Sequence, residues 1–158
     1  MTNTIDGGAE RLYREDGARL WRALLAFGGD RAVADDSVAE AFAQLLRREE
    51  PIRRPRDWVW RAGFRIAAGE LSHRARFSQL VDTKAERDPE APADPSGRLI
   101  TALRELSVKQ RGSLILRHYA GYRVHRVARI LGSTSPAVWV HLFQGRRRLR
   151  RLLEAGDG

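Results

Sequence analysis

The sequence contains no cysteine, and this absence excludes disulfide bonds and thiolate metal sites. Its four histidines also lack the i, i+4 pairing with a nearby carboxylate that is typical of a zinc-binding helix. No apolar run approaches the roughly 20 residues that cross a bilayer, and no basic leader precedes an apolar stretch near residue 1. We therefore expect no metal or other cofactor, no membrane insertion and a cytoplasmic location.

Patterns typical of catalysis are missing as well. The sequence has no glycine-rich loop of the kind that cradles phosphates, no cluster with metal-ligand spacing and no nucleophile beside a histidine. These absences predict a protein that acts by binding, with no catalytic residues.

Positive charge is concentrated at one end of the chain. Residues 1–81 carry 14 basic and 12 acidic side chains, whereas residues 98–158 carry 13 basic and 3 acidic ones. A positive field of this kind attracts polyanions. We therefore expect nucleic acid as the partner of the C-terminal part, with an anionic membrane surface as the alternative.

An acidic segment rich in proline and alanine, residues 82–97, separates the two parts. It contains no large apolar side chain that could be buried, which favours an extended and solvated linker. The sequence therefore predicts two domains, residues 9–80 and 98–154.

Apolar side chains recur at helical spacing along both predicted domains, which predicts an all-α fold of two small helical domains. Three helices are expected in the N-terminal domain, the third beginning near Pro55 or Asp57. Trp60 and Phe64 share one apolar stripe of that third helix, which favours core packing at least as strongly as an exposed role. The expected helices span residues 9–27, 30–48 and about 55–76.

The C-terminal domain is predicted to form four shorter helices. Its segment SVKQ is a capping box, in which the Ser107 hydroxyl accepts from the backbone N–H of Gln110 and the glutamine side chain reaches back. Gly132 supplies a left-handed residue at the end of one helix, and Ser135 before Pro136 predicts the N-cap of the next. Two helices joined by so short a turn predict a helix-turn-helix.

The second helix of this motif is the candidate reader of the DNA major groove. Val138 and Leu142 are expected to pack inward, while side chains near its N-terminal half face base edges and the arginines beyond them face phosphates. In the alternative interpretation the arginines form a solvated face that offsets the helix dipole. The candidate DNA contacts are Ser135, Trp139, His141, Phe143, Gln144, Arg146, Arg147, Arg148 and Arg150.

Three segments together resemble extracytoplasmic-function RNA polymerase sigma factors of the sigma-70 family. The C-terminal promoter-reading domain of that family is similar to ALRELSVKQRGSLILRHYAGYRVHRVARILGSTSPAVWVHLFQGRRRLRRLL. Its N-terminal promoter-melting domain is similar to GDRAVADDSVAEAFAQLL followed by WVWRAGFRIAAGELSHRAR. The resemblance implies a protein that binds core RNA polymerase, directs it to promoter DNA and helps to open the duplex. It also implies an anti-sigma protein as a further partner.

The resemblance assigns roles to particular residues. It implies that Asp35, Asp36 and Glu40 contact the polymerase, although Asp35 and Asp36 also suit a helix N-terminus as favourable charges. It implies that the third helix melts the promoter −10 element and holds one strand, for which aromatic stacking and arginine contacts are apt. The candidate residues for −10 binding are Trp60, Arg61, Phe64, Arg65 and Arg74.

Four positions depart from the family pattern, namely Arg65, Arg126, Trp139 and Gln144. Trp139 stands where arginine or lysine is common; its ring suits a thymine methyl group, and Gln144 suits adenine. These departures are consistent with an unusual −35 preference, with weak −35 binding offset by the arginines, or with drift away from promoter reading. The alternative functions are a polymerase-binding adaptor or degenerate sigma-like regulator that does not initiate, and a polymerase-independent helix-turn-helix regulator.

Overall fold

The computed structural model describes residues 4–81 and 95–156. The described residues contain helices joined by turns and no strand, which confirms the all-α prediction. None of the described helices is both long and apolar enough to cross a membrane. Most of the predicted linker, residues 82–94, lies outside the described residues. The helices are α1 Thr4–Gly28, α2 Arg31–Arg47, α3 Pro55–Val81, α4 Pro95–Arg104, α5 Val108–Leu114, α6 Val124–Leu131 and α7 Ser135–Ala155, and a π-helical turn, Ile115–Tyr119, continues α5.

The N-terminal unit packs α1, α2 and α3 against one another. Asp30 is the N-cap of α2, where its carboxylate accepts from the backbone N–H groups of Ala32 and Val33. Arg74 of α3 donates to the other oxygen of Asp30 at 2.7 Å, and this hydrogen bond holds the pKa of Asp30 below its usual value. The cap and the ion pair therefore join the start of α2 to the distal half of α3.

The capping box predicted at the start of α5 is confirmed. The Ser107 hydroxyl accepts from the Gln110 N–H at 3.1 Å, and the Gln110 side chain accepts from the Ser107 N–H at 3.3 Å. After α5 the backbone widens at the π turn, where the Ala120 N–H donates to the Ile115 oxygen. Such turns insert one extra residue into a helix.

The helix-turn-helix consists of α6, a short turn and α7. Gly132 has φ 62° and ψ 42°, the left-handed conformation predicted for it. The predicted N-cap of α7 is wrong by one residue. Thr134 has the extended backbone of a cap and accepts from the Ala137 N–H at 3.3 Å, so Ser135 already lies in the first turn.

Helices α4 to α7 form a C-terminal unit, and a continuous core joins it to the N-terminal unit. The rings of Trp60 in α3 and Tyr122 after the π turn meet edge to face, with centroids 6.1 Å apart. At Gly112 in α5, a Cβ atom would lie 3.1 Å from the Phe27 ring and 3.0 Å from Leu131. Because real Cβ atoms rarely approach so closely, the absence of a side chain at Gly112 allows α5 to pack against the end of α1.

Two arginines of the C-terminal unit cap the C-terminal end of α1. Arg111 is buried, and its Nε donates to the Phe27 carbonyl oxygen at 2.6 Å. Arg104 donates to the Gly29 carbonyl oxygen. The last carbonyl groups of a helix lack partners within the helix and carry partial negative charge, so these guanidinium groups satisfy both needs. Burial, and then the charge of Arg104, lower the pKa of Arg111.

Candidate nucleic-acid interface

The position of α7 in the helix-turn-helix is set by its inner face. Val138 and Leu142 are fully buried, as predicted, and α7 packs on both α5 and α6. Gly145 continues this face against Leu114, since a Cβ atom there would lie 3.2 Å from the leucine side chain. The opposite face of α7 is consequently exposed over its whole length.

The N-terminal half of that exposed face is apolar. Trp139, Val140 and Phe143 are 56%, 52% and 66% exposed. Large apolar side chains grouped in this way on a surface mark a binding site. Gln144 beside them is exposed too, and its side-chain oxygen lies 3.4 Å from the Gln110 amide nitrogen. Trp139, Phe143 and Gln144 therefore face solvent as predicted, and Val140 joins them although the sequence did not single it out.

Two predicted contacts in the same helix, Ser135 and His141, are only partly exposed. Ser135 lies in the first turn, and His141 lies one residue before the buried Leu142. Their side chains are consequently less available to a ligand than those of the apolar group.

The C-terminal half of the exposed face is basic. Arg147, Arg148, Arg150 and Arg151 are exposed and have no acidic partner among the described residues. They do not lie in the last turn of α7, where a favourable interaction with the helix dipole would be concentrated. This placement argues against the interpretation that they serve mainly to offset that dipole.

Arg146 differs from the other arginines because it turns toward the body of the protein. Its Nε donates to the His118 ring nitrogen Nε2 at 3.1 Å. Partial burial, and then the charges of Arg146 and Arg117, hold the pKa of His118 below its usual value. A neutral imidazole is the form that accepts this hydrogen bond.

On α2, the three predicted polymerase contacts differ in availability. Asp36 is exposed and has no partner among the described residues, whereas Asp35 accepts from the Trp21 indole N–H at 2.7 Å. Glu40 accepts from Gln44 at 3.0 Å and from Arg47 at 2.9 Å, and these hydrogen bonds lower its pKa. Asp35 and Asp36 lie beyond the first turn of α2, which weakens the alternative that they mainly serve the helix dipole.

On α3, the structure favours the core interpretation of the two aromatic residues. Trp60 and Phe64 are 0% and 1% exposed, and the Trp60 indole N–H donates to Asp16. In this arrangement neither ring is accessible for stacking on a base. This burial argues against their role as base contacts and has a simple cause, since the Trp60 ring meets Tyr122 of the C-terminal unit and the Phe64 ring meets Phe27 of α1.

The predicted arginine contacts on α3 divide into two groups. Arg61 and Arg65 are exposed and have no acidic partner among the described residues. Arg74 is held by Asp30 at 2.7 Å and by Glu70 at 3.2 Å, so its guanidinium group already serves a structural role.

Comparisons with known proteins agree with this geometry. Residues 96–149 match the protein family described as Sigma-70, region 4. The extracytoplasmic-function RNA polymerase sigma factor BldN of Streptomyces coelicolor is 28% identical over 157 residues, covering 90% of this chain and 59% of BldN. The RNA polymerase sigma-E factor of Streptomyces antibioticus is 29% identical over 144 residues, covering 90% of this chain and 73% of that protein.

Two solved structures share the fold. The sigma factor RpoE from Bartonella quintana, in complex with the anti-sigma factor NepR, has a TM-score of 0.68 and 18% identity, covering 92% of this chain and 98% of that one. CnrH, in complex with the cytosolic domain of CnrY, has a TM-score of 0.66 and 22% identity, covering 95% and 90%. Residues 96–149 therefore match region 4 of sigma-70 factors, most of the chain is similar in sequence to two RNA polymerase sigma factors, and the two solved structures share its fold.

Proposed function

We propose that this protein binds core RNA polymerase and directs it to specific promoters as a sigma factor. The main support is α7, the second helix of the helix-turn-helix, which has an exposed apolar half and an exposed basic half and lies largely within the region 4 match. The protein would act by binding, and chemistry would belong to the polymerase. In this proposal the units 9–80 and 98–154 serve different parts of the promoter.

The helix α7 would read the −35 element. The N-terminal residues of a recognition helix contact base edges, and basic residues beyond them contact phosphates. Trp139 and Phe143 offer apolar surface to thymine methyl groups, and Gln144 offers a bidentate amide to adenine. These side chains favour an A·T-containing site over one that depends on guanine contacts from arginine.

The exposed face of α2 would contact the polymerase. Asp36 is a carboxylate without a partner among the described residues, Asp35 lies beside it, and Leu46 further along the helix is 49% exposed. An acidic group toward one end of a helix and an exposed apolar side chain toward the other suit a partner surface that is basic at one end and apolar at the other.

The exposed Arg61 and Arg65 would hold the promoter strand near −10 through its phosphates. In the structure Tyr122 of the C-terminal unit covers Trp60 of α3, an arrangement that we call closed. We therefore propose that the two units separate before α3 receives DNA. A protein that holds both units together would therefore inhibit initiation. The Bartonella structure contains an anti-sigma factor, and we propose a partner of that kind here.

Run-off transcription with purified core polymerase on a promoter library tests the proposal. The wild-type chain should yield selective transcripts, and the Asp36→Asn variant should reduce both core binding and transcript yield. Glu49→Gln is the matched control, because Glu49 is an exposed carboxylate of the same unit without a partner among the described residues.

The alternatives predict different results. Core binding without any transcript would instead support an adaptor, for which the burial of Trp60 and Phe64 is the favouring observation. DNA binding without core binding would support a polymerase-independent regulator and would overturn the sigma-factor proposal.

A further inference from the structure

A cleft of about 450 Å³ lies between the two units. Its N-terminal wall is formed by the segment before α3 and the first turns of that helix, and its C-terminal wall is formed by Tyr122 and α6. Small-ligand sites typically have volumes of a few hundred Å³ and favour boundaries between structural units. The cleft is therefore large enough for a small ligand, and it lies at such a boundary.

The walls of the cleft are strongly basic. Its single carboxylate, Asp57, is already paired with Arg126 across the boundary between the units. The four other arginines have no acidic partner among the described residues. Positive charges collected around one cleft attract an anion with several charges. These four arginines are Arg53, Arg54, Arg61 and Arg129.

The cleft also has an aromatic wall. Trp58 lines it and is partly buried, with the Arg48 guanidinium carbon 5.5 Å from the ring centre. Ile52 and Ile130 add apolar surface. A flat ring could pack against these groups while the anionic part of the same ligand meets the arginines.

We propose that this cleft binds a nucleoside polyphosphate. Guanidinium groups bind phosphate oxygens through paired hydrogen bonds, and several unpaired arginines match the charge of a diphosphate or triphosphate. The base packs on Trp58. A single phosphate would leave most of the arginines unsatisfied, and an apolar ligand would leave all of them so.

The position of the ligand gives it a regulatory consequence, which rests on the proposed sigma function. Arg53, Arg54 and Arg61 belong to the N-terminal unit, whereas Arg126 and Arg129 belong to the C-terminal unit. A ligand that contacts both sets stabilises the closed arrangement by its binding free energy. It also covers Arg61, one of the arginines proposed to hold promoter DNA.

Isothermal titration calorimetry of the full chain with ATP and with GTP tests the site. At least one nucleotide should bind with one-to-one stoichiometry, and the double variant Arg53→Gln, Arg129→Gln should bind at least about tenfold more weakly. The matched control is Arg22→Gln, Arg31→Gln, which removes the same charge from exposed positions outside the cleft. The control should keep the wild-type affinity, and circular dichroism verifies that both variants fold.

Three further probes separate the alternatives. Adenosine alone should not bind measurably, and Trp58→Leu should weaken ATP binding more than tripolyphosphate binding. If Trp58→Leu weakened the binding of ATP and of tripolyphosphate by the same factor, the proposed role of the aromatic wall would be overturned. Tighter binding of a single-stranded oligonucleotide, with the same dependence on Arg53 and Arg129, would overturn the proposal in favour of a nucleic-acid strand.

Absence of nucleotide binding at millimolar concentration would overturn the proposal outright. Because none of these titrations contains polymerase or promoter DNA, their result does not depend on whether the chain initiates transcription. The closure can be measured separately. The chain has no cysteine, so Glu49→Cys and Glu154→Cys introduce the only two thiols for fluorescent labels, one in each unit. Nucleotide should increase energy transfer between the two labels.

Discussion

Replacing Arg111 by methionine should destabilise the protein by about 2 kcal/mol. The arginine makes one short hydrogen bond, 2.6 Å from Nε to the Phe27 oxygen, and longer ones of 3.2 to 3.4 Å from Nη1 to three other carbonyl groups. A hydrogen bond from a charged group contributes about 1.5 to 3 kcal/mol, and leaving the Phe27 carbonyl unpaired costs about 1 to 3 kcal/mol. Methionine carries no charge, so the variant avoids the free-energy cost of burying a guanidinium group. Its flexible apolar side chain also fills part of the space, and both effects recover part of the loss.

Urea unfolding followed by far-UV circular dichroism measures this difference in free energy of unfolding. The control is Arg22→Met, an exposed arginine without a partner among the described residues, whose effect should stay within about 0.5 kcal/mol. If Arg111→Met were no more destabilising than Arg22→Met, the capping of α1 by the C-terminal unit would contribute nothing, and the reasoning would be refuted.

Three other perturbations test separate parts of the structure. Ser107→Ala removes the capping box and should lower the free energy of unfolding by about 1 kcal/mol in the same urea assay. The pKa of His118 is lowered in the folded state, so unfolding takes up a proton below about pH 6.5. The free energy of unfolding should therefore fall toward acid pH, and urea unfolding of His118→Gln should show a weaker dependence on pH. Replacing thymine by uracil at the −35 element removes the methyl group and should weaken DNA binding of the wild-type chain, measured by fluorescence anisotropy. The double variant Trp139→Ala, Phe143→Ala should bind both DNAs equally. If the wild-type chain and the double variant lost the same affinity, apolar readout of the methyl group would be contradicted.

Local patterns in the sequence predicted local structure well. The capping box and the left-handed Gly132 depend on residues within a few positions of each other, and the structure contains both. The burial of Val138 and Leu142 followed from helical spacing alone. The N-cap of α7 was missed because threonine and serine are adjacent there, and only the backbone conformation identifies Thr134 as the cap.

Contacts between the two units could not be predicted in this way. Arg111 resembles any other arginine in a basic domain, and its partners Phe27 and Leu103 lie in different helices. Trp60 shows the same limit, since apolar spacing indicated a buried stripe but did not indicate that Tyr122 would cover it. The cleft was missed for the same reason, because its walls come from segments about seventy positions apart.

The candidate site was predicted in part. Helical spacing placed Trp139, Phe143 and Gln144 on the exposed face of α7, and the arginines followed from composition. Val140 was not singled out from the sequence, and the packing of α7 shows that this valine faces solvent beside Trp139 and Phe143.

The π turn before Tyr122 makes the packing of the two units depend on the number of residues in this turn. An α-helix rotates about 100° per residue, so a single-codon deletion within residues 117–119, which lie outside the core, would convert the turn to regular helix and rotate the following residues by about that angle. Every side chain of the core would still be encoded, yet Tyr122 would no longer face Trp60. Among natural relatives, an aligned gap of one residue at this turn would therefore signal a different packing of the two units, even where every substitution around it is conservative.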